Sequence, residues 1–303
     1  MDIRQVLQQM EIPVSLDADI SPFINAEDGS AYEVWKVQSQ GMTYVLKKAK
    51  GQEISIYTSF FNRELRGAPR FLGSTTFDGE EYFLMDYVPG EDLRRCNRKK
   101  LIGALDALIC LQDFYWERRE MAAGGLSFAD SFVGRKNRKN YLKDEELEMA
   151  YDAFLAQYAA LPRTLCHDDL LPFNVLVGEE TATIIDWEVG GILPYPTSLA
   201  RLIAHTEDSA DAFFYMTEAD KTFAIDYYYE NLVKKKGISY ADYRKALDAF
   251  LLYEYCEWIM LGNKYPDGDK VRYSAYLKKA KTHIKSLYNF KMRVYNKEKI
   301  SLR

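Results

Sequence analysis

The rhythm of apolar and polar positions changes near residue 90. Before it, short strand-like runs come in pairs. AYEVWKV (31–37) and TYVLK (43–47) flank a turn around Gly41. APRFLGSTTF (68–77) and EYFLMDYV (81–88) flank Asp78-Gly79, a dipeptide suited to the positive-φ turn of a two-residue hairpin. Between the pairs a helix is expected from Glu53 to about Leu65. After the Pro89-Gly90 turn the spacing becomes helical, with Leu101, Leu105, Leu108 and Leu111 on one face of a segment from Asn97 to about Glu120. Long helical stretches return beyond Pro196, including YADYRKALDAFLLYEYCEWIML (240–261). The one interruption, residues 164–186, reads as a loop and two short strands around Gly178-Glu179-Glu180. The pattern predicts an α+β chain: a small antiparallel sheet with one main helix over residues 1–88, and a larger helical lobe over residues 89–303.

Composition narrows the class. Hydrophobic residues at 48% and aromatics at 14% provide for a large core and argue against disorder. Charge is unevenly spread. Residues 270–303 hold eleven Lys/Arg against one acid, Glu298, so the preceding body carries 29 bases, 44 acids and a formal charge of −15. Such a body repels a phosphate backbone, and nucleic acid is a poor partner for the bulk of its surface. The basic segment has Leu277, Ile284, Leu287 and Phe290 at helical spacing, which predicts a helix docked on an acidic neighbour, with a membrane-surface or nucleic-acid contact as the alternative. Cys96, Cys110, Cys166 and Cys256 form no C-x-x-C pair and read as free thiols of a reducing compartment. No run has the length of a membrane span and the first twenty residues lack the apolar stretch of a signal peptide, so a cytoplasmic location is expected.

The chemistry concentrates in His167-Asp168-Asp169-Leu170-Leu171-Pro172-Phe173-Asn174, followed twelve residues later by Asp186. If residues 175–177 and 181–185 pair as a hairpin, Asn174 and Asp186 meet at the same end. An amide carbonyl and a carboxylate are hard oxygen donors of the kind Mg²⁺ takes alongside nucleotide phosphates. Asp169, on the loop before them, is placed to accept a proton from a hydroxyl. In isolation an H-D-D string in a turn is more often a capping cluster. What reverses that reading is the ordered set of YVLK, a helix-opening Glu53, a Pro-Gly turn, this loop and IIDW.

The H-x-D-x-x-x-x-N spacing with a following hairpin Asp resembles protein kinases. The lack of Arg before Asp169, and IDWE in place of D-F-G, resemble the aminoglycoside phosphotransferase and choline kinase family over most of residues 20–205. The resemblance implies a protein-kinase-like two-lobe fold and transfer of the γ-phosphoryl group of ATP, with GTP left open, to a small-molecule hydroxyl. Asp169 would then be the catalytic base, Asn174 and Asp186 would hold Mg²⁺, and His167 would brace the loop. Lys47 would pair with the α/β-phosphates and Glu53 would hold Lys47, with Glu64 as the alternative partner; Lys48 is expected on the opposite face. Ser30, in the turn 25–30, would lie over the phosphates. In LMDYVPGEDL the main chain of Asp86 and Val88 would meet adenine, with Met85 lining the pocket. The family often places an Asp in the stretch after IDWE; here Ser198 is expected in that structural role.

The acceptor would sit against the helical lobe, near Glu207, Asp208, Asp211, Glu218, Asp220, Glu254, Glu257, Asp267 and Asp269, with Tyr253, Tyr255 and Trp258 interleaved. Carboxylates and aromatic faces suit a cationic alcohol, aminoglycoside-like or choline-like; the plainer reading of the same acids is a solvated helix surface. The rival to an enzyme is a nucleotide-binding pseudokinase. A protein substrate is disfavoured, because no A-P-E-like string follows Asp186, and a Cys166 nucleophile is disfavoured because its side chain should point away from that of His167.

Overall fold

In the computed structural model, which describes residues 3–10, 12, 14–15, 17–25, 28–265 and 273–285, both expected hairpins are present. Five strands, β1 (Asp19–Ile24), β2 (Ala31–Ser39), β3 (Met42–Lys48), β4 (Phe71–Phe77) and β5 (Glu80–Asp86), form an antiparallel sheet ordered β1-β2-β3-β5-β4. Asp78 and Gly79 have φ of 51° and 80°, the left-handed pair that closes the β4–β5 turn. Register sets Val45 opposite Met85 and Lys47 opposite Phe83.

The period of two then divides β3 between two cores. Leu46 packs with Leu84, Tyr82, Val6 and Leu7 under a short helix, α1 (Ile3–Gln9), which the hydrophobic pattern did not announce. Val45 joins Ile56, Tyr57 and Phe60 of α2 (Glu53–Phe60) in the main core.

Helix α2 stops at Phe60, short of the expected Leu65. The chain is needed elsewhere. The Phe61 ring packs on Trp187 at 4.9 Å, and the Gly67 carbonyl accepts from the Ile184 amide at 2.8 Å, so residues 61–67 join the sheet to the helical lobe. Gly67 has φ of 101°, and a Cβ there would lie 2.8 Å from the Ala107 carbonyl oxygen.

In the second lobe, α3 (Arg98–Phe114) starts where Asn97 accepts the Lys100 amide at 3.0 Å and buries Leu101, Leu105, Leu108 and Leu111. It ends before the expected Glu120, because Glu117 turns to φ of 56° and donates its amide to Arg163 at 2.7 Å. Helices α4 (Phe128–Arg138), α5 (Glu145–Ala160), α6 (Pro196–Ala204), α7 (Glu218–Asn231) and α8 (Tyr240–Lys264) complete most of the lobe. A last helix, α9 (residues 273–285), is docked on acidic neighbours as expected: Lys279 bonds Glu207 at 2.8 Å, and Lys281 bonds Asp144 and Glu146 at 2.7 and 2.9 Å. Leu287 and Phe290 lie outside the described residues, as do Asp267 and Asp269. Among the described residues no helix is long and apolar enough to cross a membrane.

The interruption holds more strand than the sequence suggests. β8 (Val175–Val177) and β9 (Ala182–Ile184) form the expected hairpin, with the two-residue β6 (Glu91–Asp92) added at its edge. β7 (Arg163–His167), read from sequence as loop, pairs antiparallel with β10 (Gly190–Pro194). Neither strand shows alternation, since nearly every position of both is buried, and Gly190, Gly191 and Pro194 disguise the second.

Gly67→Ala should destabilise the protein by about 1–3 kcal/mol in urea unfolding, because it combines a strained φ with a clash against backbone. Gly79→Ala, where a Cβ meets nothing, should cost less.

Candidate active site

Lys47 is 8% exposed, and its ammonium is shared between Glu53 Oε1, at 2.7 Å, and Asp186 Oδ1. Three elements meet there: β3, the first turn of α2, and the residues following β9. Glu53 is therefore the partner, and the alternative, Glu64, is exposed beyond the end of α2. Lys48 faces the other way and bonds Glu33 at 3.0 Å and Glu80 at 3.2 Å. Burial pushes the Glu53 carboxyl up to about 7 against the pull of Lys47. For Lys47 burial opposes the charge, but Glu53 and Asp186 outweigh it and raise its pKa.

Asp186 adopts φ of 64°, a costly conformation for a residue other than glycine. The hydrogen bonds around it hold the chain in that shape. The Ile185 amide donates to the Asn174 carbonyl at 2.9 Å, and His167 Nε2 lies 3.0 Å from the Ile185 carbonyl. The Asp169 amide donates to His167 Nδ1 at 3.2 Å, so Nε2 carries the proton and the ring is neutral; burial pushes its pKa down. His167 thus braces the loop. Asn174 Nδ2 donates to the Asp169 carbonyl at 2.8 Å, which leaves its amide oxygen for another partner. The residues 169, 174 and 186 are gathered by these bonds at one end of the β8–β9 hairpin. Ser198 fills its expected role: its hydroxyl accepts from the His167 amide at 2.9 Å and donates to the His167 carbonyl at 3.3 Å.

The oxygen of Asn174 and the 41% exposed carboxylate of Asp186 are the donors a Mg²⁺ ion takes when phosphates complete its shell, so this pair fits that ion. The Asp169 side chain is 38% exposed and receives two bonds on Oδ1 from Arg201, a contact sequence reasoning missed. The signal was present: Arg201 is the lone charge in PTSLARLIA, an otherwise apolar or small helix.

Other expected residues are less closely engaged. Met85 is buried on the Val45 face of the sheet. The Asp86 amide donates to the Arg70 carbonyl at 3.1 Å and is therefore already engaged; Val88 is half-buried just beyond β5. The Ser30 amide and hydroxyl both bond Asp28 Oδ1, at 2.9 and 2.7 Å, and no bond links Ser30 to the Lys47 cluster among the described residues. Cys166 is buried, and burial pushes its thiol up to about 12, which disfavours the thiolate a nucleophile needs.

The acids expected to bind the acceptor are mostly paired. Glu207 meets Lys279, Glu218 meets Lys221, Asp220 meets Arg98, and Glu254 and Glu257 meet Arg201. Tyr253 stacks on Phe154 at 4.6 Å and Trp258 on Tyr276 at 5.7 Å, so those faces are already covered.

The family model described as "phosphotransferase enzyme family" matches residues 20–228. No curated protein matches by sequence. Solved structures share the fold, a protein-kinase-like α+β arrangement of two lobes. A choline/ethanolamine kinase family protein from Mesorhizobium loti superposes with a TM-score of 0.61 at 14% identity, covering 93% of each chain. The aminoglycoside phosphotransferase APH(4)-Ia, in complex with ADP and hygromycin B, gives 0.56 at 15% identity, covering 88% of this chain and 94% of that one. Amicoumacin kinase hAmiN, in complex with AMP-PNP, Ca²⁺ and its ligand, gives 0.57 at 10% identity over 94% of each.

The Glu53 shift carries a sign. Its carboxyl holds a proton up to about 7 when folded but only to the ordinary 4.5 when unfolded, so stability through this group falls as pH rises across that window. Urea midpoints of the parent should fall relative to Glu53→Gln between those two values. A difference that stays flat with pH contradicts the assignment.

Proposed function

Because the chain belongs to the phosphotransferase enzyme family, we propose that it transfers the γ-phosphoryl group of Mg²⁺-bound ATP to a hydroxyl of a small cationic acceptor, aminoglycoside-like or choline-like. Residues 1–88 hold the nucleotide and residues 89–303 the catalytic loop and acceptor. The observation that carries this reading is the Lys47 ammonium clasped by Glu53 and Asp186, beside a loop that ties Asn174 to Asp169.

In this reading the nucleotide enters between the sheet and the β8–β9 hairpin, with its base against Met85, Val88 and the Asp86 carbonyl. Lys47, on a rigid central strand, neutralises phosphate charge. Asn174 and Asp186 would hold Mg²⁺, which when bound would supply positive charge against that of the phosphates. Asp169 orients the acceptor hydroxyl; as its oxygen bonds the γ-phosphorus and the bond to ADP breaks, the hydroxyl proton passes to the Asp169 carboxylate. Rate acceleration comes from positioning and electrostatics, with no covalent enzyme intermediate.

The choice of a cationic acceptor rests on local charge. Asp168, Asp169, Glu254 and Glu257 face Arg135, Arg138 and Arg201, which leaves one formal negative charge around the loop. The described thiols, all free, favour a reducing compartment such as the cytoplasm. A nucleotide-binding protein without turnover is the alternative, disfavoured because Lys47, Asp169, Asn174 and Asp186 are all retained.

Magnesium-dependent ADP release should rise with at least one member of a panel of aminoglycosides, choline, sugars and homoserine. Asp169→Asn should lower that turnover by about 10²–10⁴-fold while leaving nucleotide affinity unchanged. Unchanged turnover removes the base. Binding of Mg·ATP with no release across the panel favours the non-catalytic alternative.

A further inference from the structure

One guanidinium on α6 joins the candidate base to α8. Arg201 Nη2 and Nε donate to Asp169 Oδ1 at 2.6 and 3.0 Å. Its Nη1 donates to Glu254 Oε2 at 2.8 Å and to Glu257 Oε2 at 3.1 Å. Burial works against the charge of Arg201, and Glu254, Glu257 and Asp169 together overcome it.

The far end of this bridge is itself fixed. Glu254 is 2% exposed and lies 3.1 Å from His205 Nε2, while His205 Nδ1 lies 2.7 Å from the Tyr276 hydroxyl. Glu257 accepts from the Tyr253 hydroxyl at 2.5 Å and pairs with Arg138. Asp169, by contrast, sits on a loop with more than a third of its side chain in solvent. Left alone, such a carboxylate rotates among water-bonded rotamers; two charge-assisted bonds to one of its oxygens select an orientation.

We propose that Arg201 is a positioning residue: anchored on α8 through Glu254 and Glu257, it grips Oδ1 of Asp169 and leaves Oδ2 for the acceptor hydroxyl. This rests on reading Asp169 as the base. The planar fork matters, because its separate nitrogens reach Asp169 and the two glutamates at once, a geometry a lysine ammonium does not reproduce.

The test uses steady-state phosphate release from Mg·ATP with water as acceptor, which needs no identified substrate. Arg201→Ala should lower the rate about 100-fold with KM for ATP unchanged within about twofold. Added guanidinium, below denaturing concentration, should restore part of the loss, and Arg201→Lys should remain impaired. Combining Arg201→Ala with Asp169→Asn should give the rate of Asp169→Asn alone, as expected for a residue acting through Asp169. Arg201→Gln, closer in size, carries the same test if the alanine variant does not fold. Full activity in the Arg201 variants beside an impaired Asp169→Asn overturns this inference alone, as does a loss that guanidinium does not restore. An active Asp169→Asn overturns the reading of Asp169 beneath it.

Discussion

A lysine ammonium taken out of water between two carboxylates is the constraint around which this molecule is arranged. Lys47 reaches Glu53 and Asp186 from a central strand, and these two acids offset its cost of burial. Strand register is therefore critical. A slip of one residue in β3 would send Lys48 into the cleft and Lys47 to the face where Glu33 and Glu80 now bind its neighbour. Helix α2 has to begin at Glu53, and the link after it has to turn early enough for Phe61 to reach Trp187, which fixes the residue beside Asp186. Trp187 is further held by its indole N–H on the Ile184 carbonyl at 2.9 Å.

The loop opposite is made rigid by a relay of main-chain bonds. Ser198 holds the main chain of His167, and the His167 ring holds the Asp169 amide and the Ile185 carbonyl. Asn174 then ties the Asp169 carbonyl to the start of the hairpin. Each buried polar group in this relay has a partner, which a low-dielectric site requires. Arg135 adds a bond of 2.5 Å to Asp168 from α4, buried among Tyr158 and Tyr253. Two consecutive acids in one loop are thus held by two arginines from different helices.

Much of this was legible in the chain because it rests on local rules. Asp78-Gly79 announces its hairpin through turn chemistry, and TYVLK announces β3 and the sidedness of Lys47 through alternation. The candidate site loop announces itself through spacing, since Asn174 and Asp186 are joined by a hairpin too short to separate them. What was hidden depends on partners distant in sequence. β7 and β10 are strands through their pairing with each other, distant in sequence; their side chains, nearly all buried, give no alternation to read. The early end of α2 follows from contacts of residues 61–67 with Ala107, Ile184 and Trp187. The acids near Asp169 looked like an open binding surface because sequence does not show that Arg201 and Arg138 already neutralise them.

Phosphoryl transfer at this site requires Asn174 and Asp186 to serve one divalent ion together with nucleotide phosphates. Electron spin resonance of Mn²⁺ in the presence of ATP addresses this directly, because bound and free Mn²⁺ give distinct signals. One ATP-dependent Mn²⁺ per chain is predicted, weakened severely in both Asn174→Ala and Asp186→Asn. Tight ATP-dependent Mn²⁺ binding that survives in both variants would contradict the account.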